Sequence, residues 1–180
     1  MLLRGDDTNP VLHIEELPRF PWRRPLPVPG AVHVYLGRHD RFYQPTGGFT
    51  VGELWLLGPR RLYVVDVAPH DLVRSLDVVS PSTGATVGLA VSFCWKIWDP
   101  RFVVASSLVD VMTVIPEMLR LAITEALADV AWADARQLAT ALQPGVLPER
   151  VRDDGLELSA LSGEVLSLDD GPLALRGTDG

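Results

Sequence analysis

The sequence predicts an α+β fold with a strand-rich N-terminal half, helices packed on a mixed or antiparallel sheet, and a final C-terminal strand. Three observations carry this. Residues 86–98 alternate strictly, with Val87, Leu89, Val91, Phe93, Trp95 and Ile97 on one face. That period of two is the mark of a long half-buried strand. After Asp99-Pro100 the period changes. Val104, Leu108, Val111, Met112, Ile115, Leu119, Ile123, Ala126 and Leu127 form a wide stripe at helical spacing. Alternation then returns in "LELSALSGEVLSL", where Leu156, Leu158, Ala160 and Leu161 lead into a last strand.

Taken in order, residues 1–29 read as an extended arm. "PRFPWRRPLPVP" between Pro18 and Pro29 holds five prolines, which disfavour a helix. It also holds Arg19, Phe20, Trp22, Arg23 and Arg24. The plainer reading is a stiff segment laid across its own domain. The functional one is a docking strip for a partner or a membrane surface. From Gly30 the pattern turns to strands. "AVHVYLG" alternates, and "RHDRFYQPTGG" is a loop. "ELWLLG" and "RRLYVVDVAP" follow as two apolar runs split by the turn signal Gly58-Pro59. "SPSTG" is a further turn before the long strand.

Asp99 is placed to cap the helix that follows, with Pro100 suited to its first position. Pro116 predicts a break or kink near residue 115. "WADARQLATAL", 132–142, reads as another helix closed by Pro144-Gly145, and "PERVRDD" after Pro148 as a short helical turn ended by Gly155. The main domain is expected over 30–170 and a fraying tail over 171–180.

With 180 residues, 47% of them apolar and 22% charged, the chain can bury a sizeable core. Its formal net charge of −7 argues against non-specific nucleic-acid binding, so no nucleic-acid partner is expected. A lone cysteine, Cys94, forms no internal disulfide, and the opening MLLRGDDTNP is too polar for a signal or anchor. A cytoplasmic location is expected, with any membrane contact peripheral and at the inner face. No run approaches the roughly 18 apolar residues that span a bilayer.

Chemistry-bearing patterns are sparse. There is no glycine-rich phosphate loop, no paired-cysteine or histidine spacing for zinc, and no nucleophile elbow. Cys94 shares the weaker strand face with Ser92 and Lys96, which could lower its pKa, but no histidine is near in sequence. His39-Asp40 and His70-Asp71 are the only His-Asp pairs, both in a strand-rich region where metal hydrolases do not place theirs. No cofactor, no metal and no catalytic residue are assigned, and the chain is not expected to be an enzyme. Trp95 reads as a core anchor. Trp98, on the opposite face, is a candidate partner contact.

The order of elements resembles the stomatin, prohibitin and flotillin (SPFH, or band-seven) domain family. "VPGAVHVYLGRHDRFYQPTGGF" resembles its opening strand and "YVVDVAPHDL" its Val-Asp strand. "LDVVSPSTGATVGLAVSFCWKIWDPRFVV" resembles its central turn, long strand and Asp-Pro exit. "LRLAITEALADVAWADARQLATAL" resembles its helices, and "RVRDDGLELSALSGEVLSLDD" its closing glycine and strand. The likeness spans about residues 30–170. It implies a non-enzymatic scaffold or adaptor that oligomerises, organises membrane microdomains and regulates partner proteins. The expected partner is a protein, either the chain itself or a longer SPFH protein. The membrane hairpin or lipid anchor and the coiled-coil helix usual in that family have no counterpart in this sequence. Partner contacts are therefore assigned to Phe20, Trp22, Arg23, Arg24 and Trp98, with a peripheral membrane-binding arm as the alternative reading.

Overall fold

A computed structural model describes residues 8–80, 84–130, 132 and 135–169. The chain is α+β. In order it forms β1 (Val11–Glu16), β2 (Ala31–Leu36), β3 (Phe42–Tyr43), α1 (Val51–Leu57), β4 (Arg61–Asp66), β5 (His70–Val79) and β6 (Thr86–Ile97). Then come α2 (Pro100–Ala105), α3 (Ile115–Ala126), α4 (Ala135–Ala141), β7 (Arg150–Asp153) and β8 (Leu156–Asp169). Two four-stranded sheets have the orders β1-β4-β2-β3 and β5-β6-β8-β7. The chain divides into two compact units. One comprises the residues up to His70 with Trp95–Thr113 and Arg152–Glu157; the other comprises Asp71–Cys94, Val114–Val151 and the chain from Leu158 onward.

In the first unit, β4 is central and antiparallel to both neighbours. Val34 faces Tyr63 and Tyr35 faces Leu62, which sets Tyr35 and Leu62 on one face. That face packs with Phe49, Leu54 and Val64, and Leu17, Val28, Ala31, Tyr43 and Leu57 border it. Such cross-strand pairs are the unit of sheet stability. β1 lies inside the predicted arm, yet it is an edge strand paired to β4, with Glu16 opposite Arg61 and bonded to it at 2.8 Å.

"VGELWLL" corrects the sequence reading. It is helical, not a strand. Thr50 accepts from the Glu53 backbone amide, and the Glu53 carboxylate accepts from the Thr50 amide, which is a reciprocal capping box. Gly58 ends the helix in the left-handed region at φ 54°. A seven-residue helix is marginal by itself, so its caps and the burial of Leu54 decide its state.

β6 matches its prediction over its length. Val87, Leu89, Val91, Phe93, Trp95 and Ile97 are all buried. Asp99 caps α2 as expected, accepting from the Arg101 and Phe102 amides, with Pro100 in the first turn. The helical stripe 103–129 is interrupted. A 3-10 turn at Val111–Thr113 separates α2 from α3, and Pro116 sits in the first turn of α3, where its missing N–H has no cost.

"PERVRDD" is a second correction. Arg150–Asp153 is a strand, and Asp154 (φ 46°) with Gly155 (φ 79°) makes a tight turn into β8. An Asp-Gly pair with both φ positive is the favoured two-residue hairpin turn. Gly155 has a second duty. Its carbonyl accepts from the Trp98 and Asp99 amides, and a Cβ there would stand 2.9 Å from the Asp99 oxygen. Only glycine allows that approach.

Glu157 is 1% exposed on β8. Its carboxylate is 2.9 Å from Lys96 Nζ and 2.6 Å from Arg152 Nε. The Lys96 hydrogen bond holds the Glu157 carboxyl below its ordinary value, and Arg152 adds to this against the opposing effect of burial.

In the second unit, Met118, Leu119, Ala122 and Ile123 form the buried face of α3. The Trp132 indole donates to the Leu127 carbonyl at 3.0 Å. Gly163 on β8 lets Leu142 pack to 3.1 Å of where a Cβ would lie, and its amide donates to the Leu142 carbonyl. The tail predicted at 171–180 and the middle of the SPSTG turn, 81–83, lie outside the described residues.

Two outcomes follow. Thr50→Ala lowers stability by about 1 kcal/mol, read from urea unfolding, because one end of the capping box is lost. Glu157→Gln costs about 1–3 kcal/mol at pH 7, since Lys96 and Arg152 lose the negative charge and one of the two acceptor oxygens. A carboxyl with a depressed folded pKa stabilises above the unfolded value of 4.5, and that share is lost as pH falls through the lower folded value. The urea midpoint of the parent chain therefore drops with acidification below about pH 4.5 by a component that Glu157→Gln lacks.

Candidate functional site

The proline-rich strip begins where β1 ends. The Leu17 amide donates to the Arg60 carbonyl at 2.9 Å, and the chain then crosses α1. The Trp55 indole donates to the Pro21 carbonyl at 2.8 Å. Phe20 meets Trp55 edge to face with ring centroids 6.2 Å apart, and the Arg19 guanidinium lies 5.3 Å from the Phe20 centroid. Pro21 is buried beneath this contact. The strip is thus laid across its own domain. It leaves several large apolar side chains unburied: Trp22 is 87% exposed, Leu56 82%, Leu26 80% and Phe20 56%. A single exposed leucine is ordinary, but several large apolar groups on one short segment and the helix it touches are not.

Charge on the strip has one sign. Residues 17–39 hold four arginines and no carboxylate, in a chain whose net charge is −7. Arg23 and Arg24 are exposed and make no ion pair among the described residues. Of the residues predicted from sequence, Phe20, Trp22, Arg23 and Arg24 are therefore all exposed on the strip. Trp98 does not join them. It is half exposed between β6 and α2, with the Arg152 guanidinium 5.3 Å from its ring centroid. Trp55 and Leu56 were not predicted for this surface, because their run reads as a strand. The signal that could have found them is the Thr50-x-x-Glu53 spacing that caps α1.

Beside the strip is a cleft of about 310 Å³. Arg24, Pro25 and Pro27 form one wall, Ala31, Val32 and His33 of β2 a second, and residues 44–49 the third. Burial holds the His33 imidazole below its ordinary pKa, with the Leu26 backbone and the Glu15 charge opposing. The neighbouring Tyr35 is fully buried. Its hydroxyl has no hydrogen-bond partner, and burial pushes its pKa up even though the Phe49 backbone acts the other way. A buried hydroxyl without a partner costs about 1–3 kcal/mol.

The residues considered for chemistry sit on different elements, Cys94 on β6, His39 in a 3-10 turn and His70 at the start of β5. Cys94 is half-buried, and the Lys96 ammonium is engaged by Glu157. His39 and Asp40 both have positive φ in a 3-10 turn, and Asp40 pairs with Arg60 at 2.9 Å. His70 Nε2 is 3.2 Å from Asp66, an ion-pair distance without hydrogen-bond alignment, and its ring stacks on Trp95 at 4.5 Å. Among the described residues no group of three or more His, Cys, Asp or Glu side chains is placed to hold a metal ion. Among the same residues no helix is long and apolar enough to cross a membrane.

Comparison with known proteins finds no family model that matches the chain and no curated protein that matches it.

The Trp55 hydrogen bond fixes the strip to α1. Trp55→Phe keeps the ring but removes the donor. It should speed amide exchange over residues 18–24 while leaving β2 and β4 protected, and lower stability by about 0.5–1.5 kcal/mol.

Proposed function

We propose that this chain is a non-enzymatic, SPFH-like scaffold or adaptor module that acts by protein–protein contact through the strip and α1. The observation that carries the reading is the exposed set Phe20, Trp22, Trp55 and Leu56, held in one place by the Trp55–Pro21 hydrogen bond. Aromatic and arginine side chains are the groups that dominate protein interfaces, and a fixed backbone lowers the entropy lost on docking. The ordered likeness of residues 30–170 to the SPFH domain supports the same reading.

Self-association is the first partner to test. Light scattering across a concentration series should give a mass that rises above 19.7 kDa. The double variant Trp22→Ser/Leu56→Ser should stay monomeric while retaining its circular dichroism spectrum. A parent chain that is monomeric throughout, or a double variant that associates equally, removes this surface from assembly.

A second reading rests on the one-signed charge. Trp22 beside Arg19, Arg23 and Arg24 is a combination that suits a headgroup region. On that reading the chain sediments with vesicles containing phosphatidylserine at low salt and is released by added salt. Sedimentation that is absent, or unchanged in Arg23→Gln/Arg24→Gln, eliminates it.

A further inference from the structure

We propose that the cleft between the strip and β2 is a binding site for a small organic monocarboxylate. The carboxylate would be received by Arg24 and the Tyr35 hydroxyl, and the apolar body would lie against Pro25, Pro27 and Phe49. This inference does not depend on the interaction surface above.

The lining sets the ligand class. Arg24 is the one ionised side chain in the cleft wall, and His33, Gln44 and Thr46 are its neutral polar groups. No carboxylate lines it. One guanidinium without a second cation matches a single negative charge, and its planar fork matches two carboxylate oxygens. The remaining wall is proline, alanine, valine and Phe49, which favours an apolar body over a sugar or a phosphate. The volume is at the small end of ligand pockets.

The second observation is the unmet donor. Tyr35 is 0% exposed, and its hydroxyl bonds to nothing in the protein. Gly48, with no side chain and φ +80°, lines the cleft beside it. A Cβ built on Gly48 would stand 3.7 Å from Tyr35 Oη and 3.9 Å from His33 Nδ1. A ligand oxygen seated at Gly48 therefore reaches a donor that the fold otherwise leaves unsatisfied. Neighbouring Gly47, also at φ +80°, keeps this edge of the loop bare. The Tyr35 ring is fixed by Phe49 at 4.7 Å and by His33 at 6.1 Å, so the hydroxyl is positioned before a ligand arrives.

The probe is phenylacetate, with phenylacetamide, phenethylamine and inorganic phosphate as comparisons, titrated into the full chain and followed by saturation-transfer NMR and calorimetry. Phenylacetate should bind, and the comparisons should bind at least roughly tenfold more weakly, the amide and the amine because the charge-assisted hydrogen bonds are lost and phosphate because it has no apolar body for the proline and Phe49 wall. Arg24→Gln should weaken phenylacetate roughly tenfold, whereas Arg120→Gln, the same charge change in the other unit, should leave it unchanged. Tyr35→Phe should weaken it several-fold without lowering the melting temperature of the unliganded protein, a combination that a purely structural tyrosine would not give. The proposal is overturned if phenylacetate does not bind. It is equally overturned if the amide or phosphate binds as well, if Arg120→Gln loses as much as Arg24→Gln, or if Tyr35→Phe binds with parent affinity.

Discussion

The carboxylate of Glu157 is the constraint on which much of the first unit turns. It is a buried charge, and a buried charge is tolerated only when paired and hydrogen-bonded. Lys96 from β6 and Arg152 from β7 supply the pairing. Both cations keep part of their side chain in water, so only one of the three groups carries a full desolvation penalty. Glu157 thereby ties residues of three strands together. The Asp154-Gly155 turn joins β7 to β8, and the Gly155 carbonyl receives the Trp98 and Asp99 amides where β6 hands over to α2. Arg152 also covers the Trp98 ring, so one arginine serves the ion pair and the aromatic surface together.

The first sheet is stabilised differently. Its core is aromatic, with Tyr35 and Tyr43 around Phe49, and α1 closes it with Leu54. Because α1 is short, its outward side remains bare, and the proline-rich strip covers part of it. Proline lowers the entropy of the free strip, and the Trp55 hydrogen bond, the Phe20–Trp55 edge contact, the buried Pro21 and the packing of Val28 on the core hold it. What the strip does not cover is the surface proposed for partner contact. Where it leaves the helix it becomes a wall of the cleft, so Arg24 serves two distinct surfaces of the same unit.

The unsatisfied Tyr35 hydroxyl contrasts with Glu157. Both are polar groups at full burial. Glu157 is resolved by two cations, and Tyr35 is resolved by nothing within the protein. Folded chains satisfy nearly all buried polar groups, so an exception beside an open cleft points toward a function for that group.

Periodicity and cap chemistry in the sequence determined the long strand β6, the Asp99 cap, the break before Pro116 and the return to strand after Gly155. Each is a local property: alternate burial, a side chain bonding its own backbone, a ring without an N–H. The α+β class followed from them. Two segments were misjudged for the same reason. "ELWLLG" and "PERVRDD" are short enough that period cannot separate helix from strand, and a capping box in one and an Asp-Gly hairpin turn in the other decided the outcome. Phe20, Trp22, Arg23 and Arg24 were legible as a strip because they are contiguous. Their juxtaposition with Trp55 was not, nor was the cleft that joins Arg24 to His33 and Gly48. Those contacts join residues distant in sequence, and Lys96 likewise meets Glu157 rather than Cys94 beside it. Partners far apart along the chain leave no period and no spacing, so only the tertiary structure decides them.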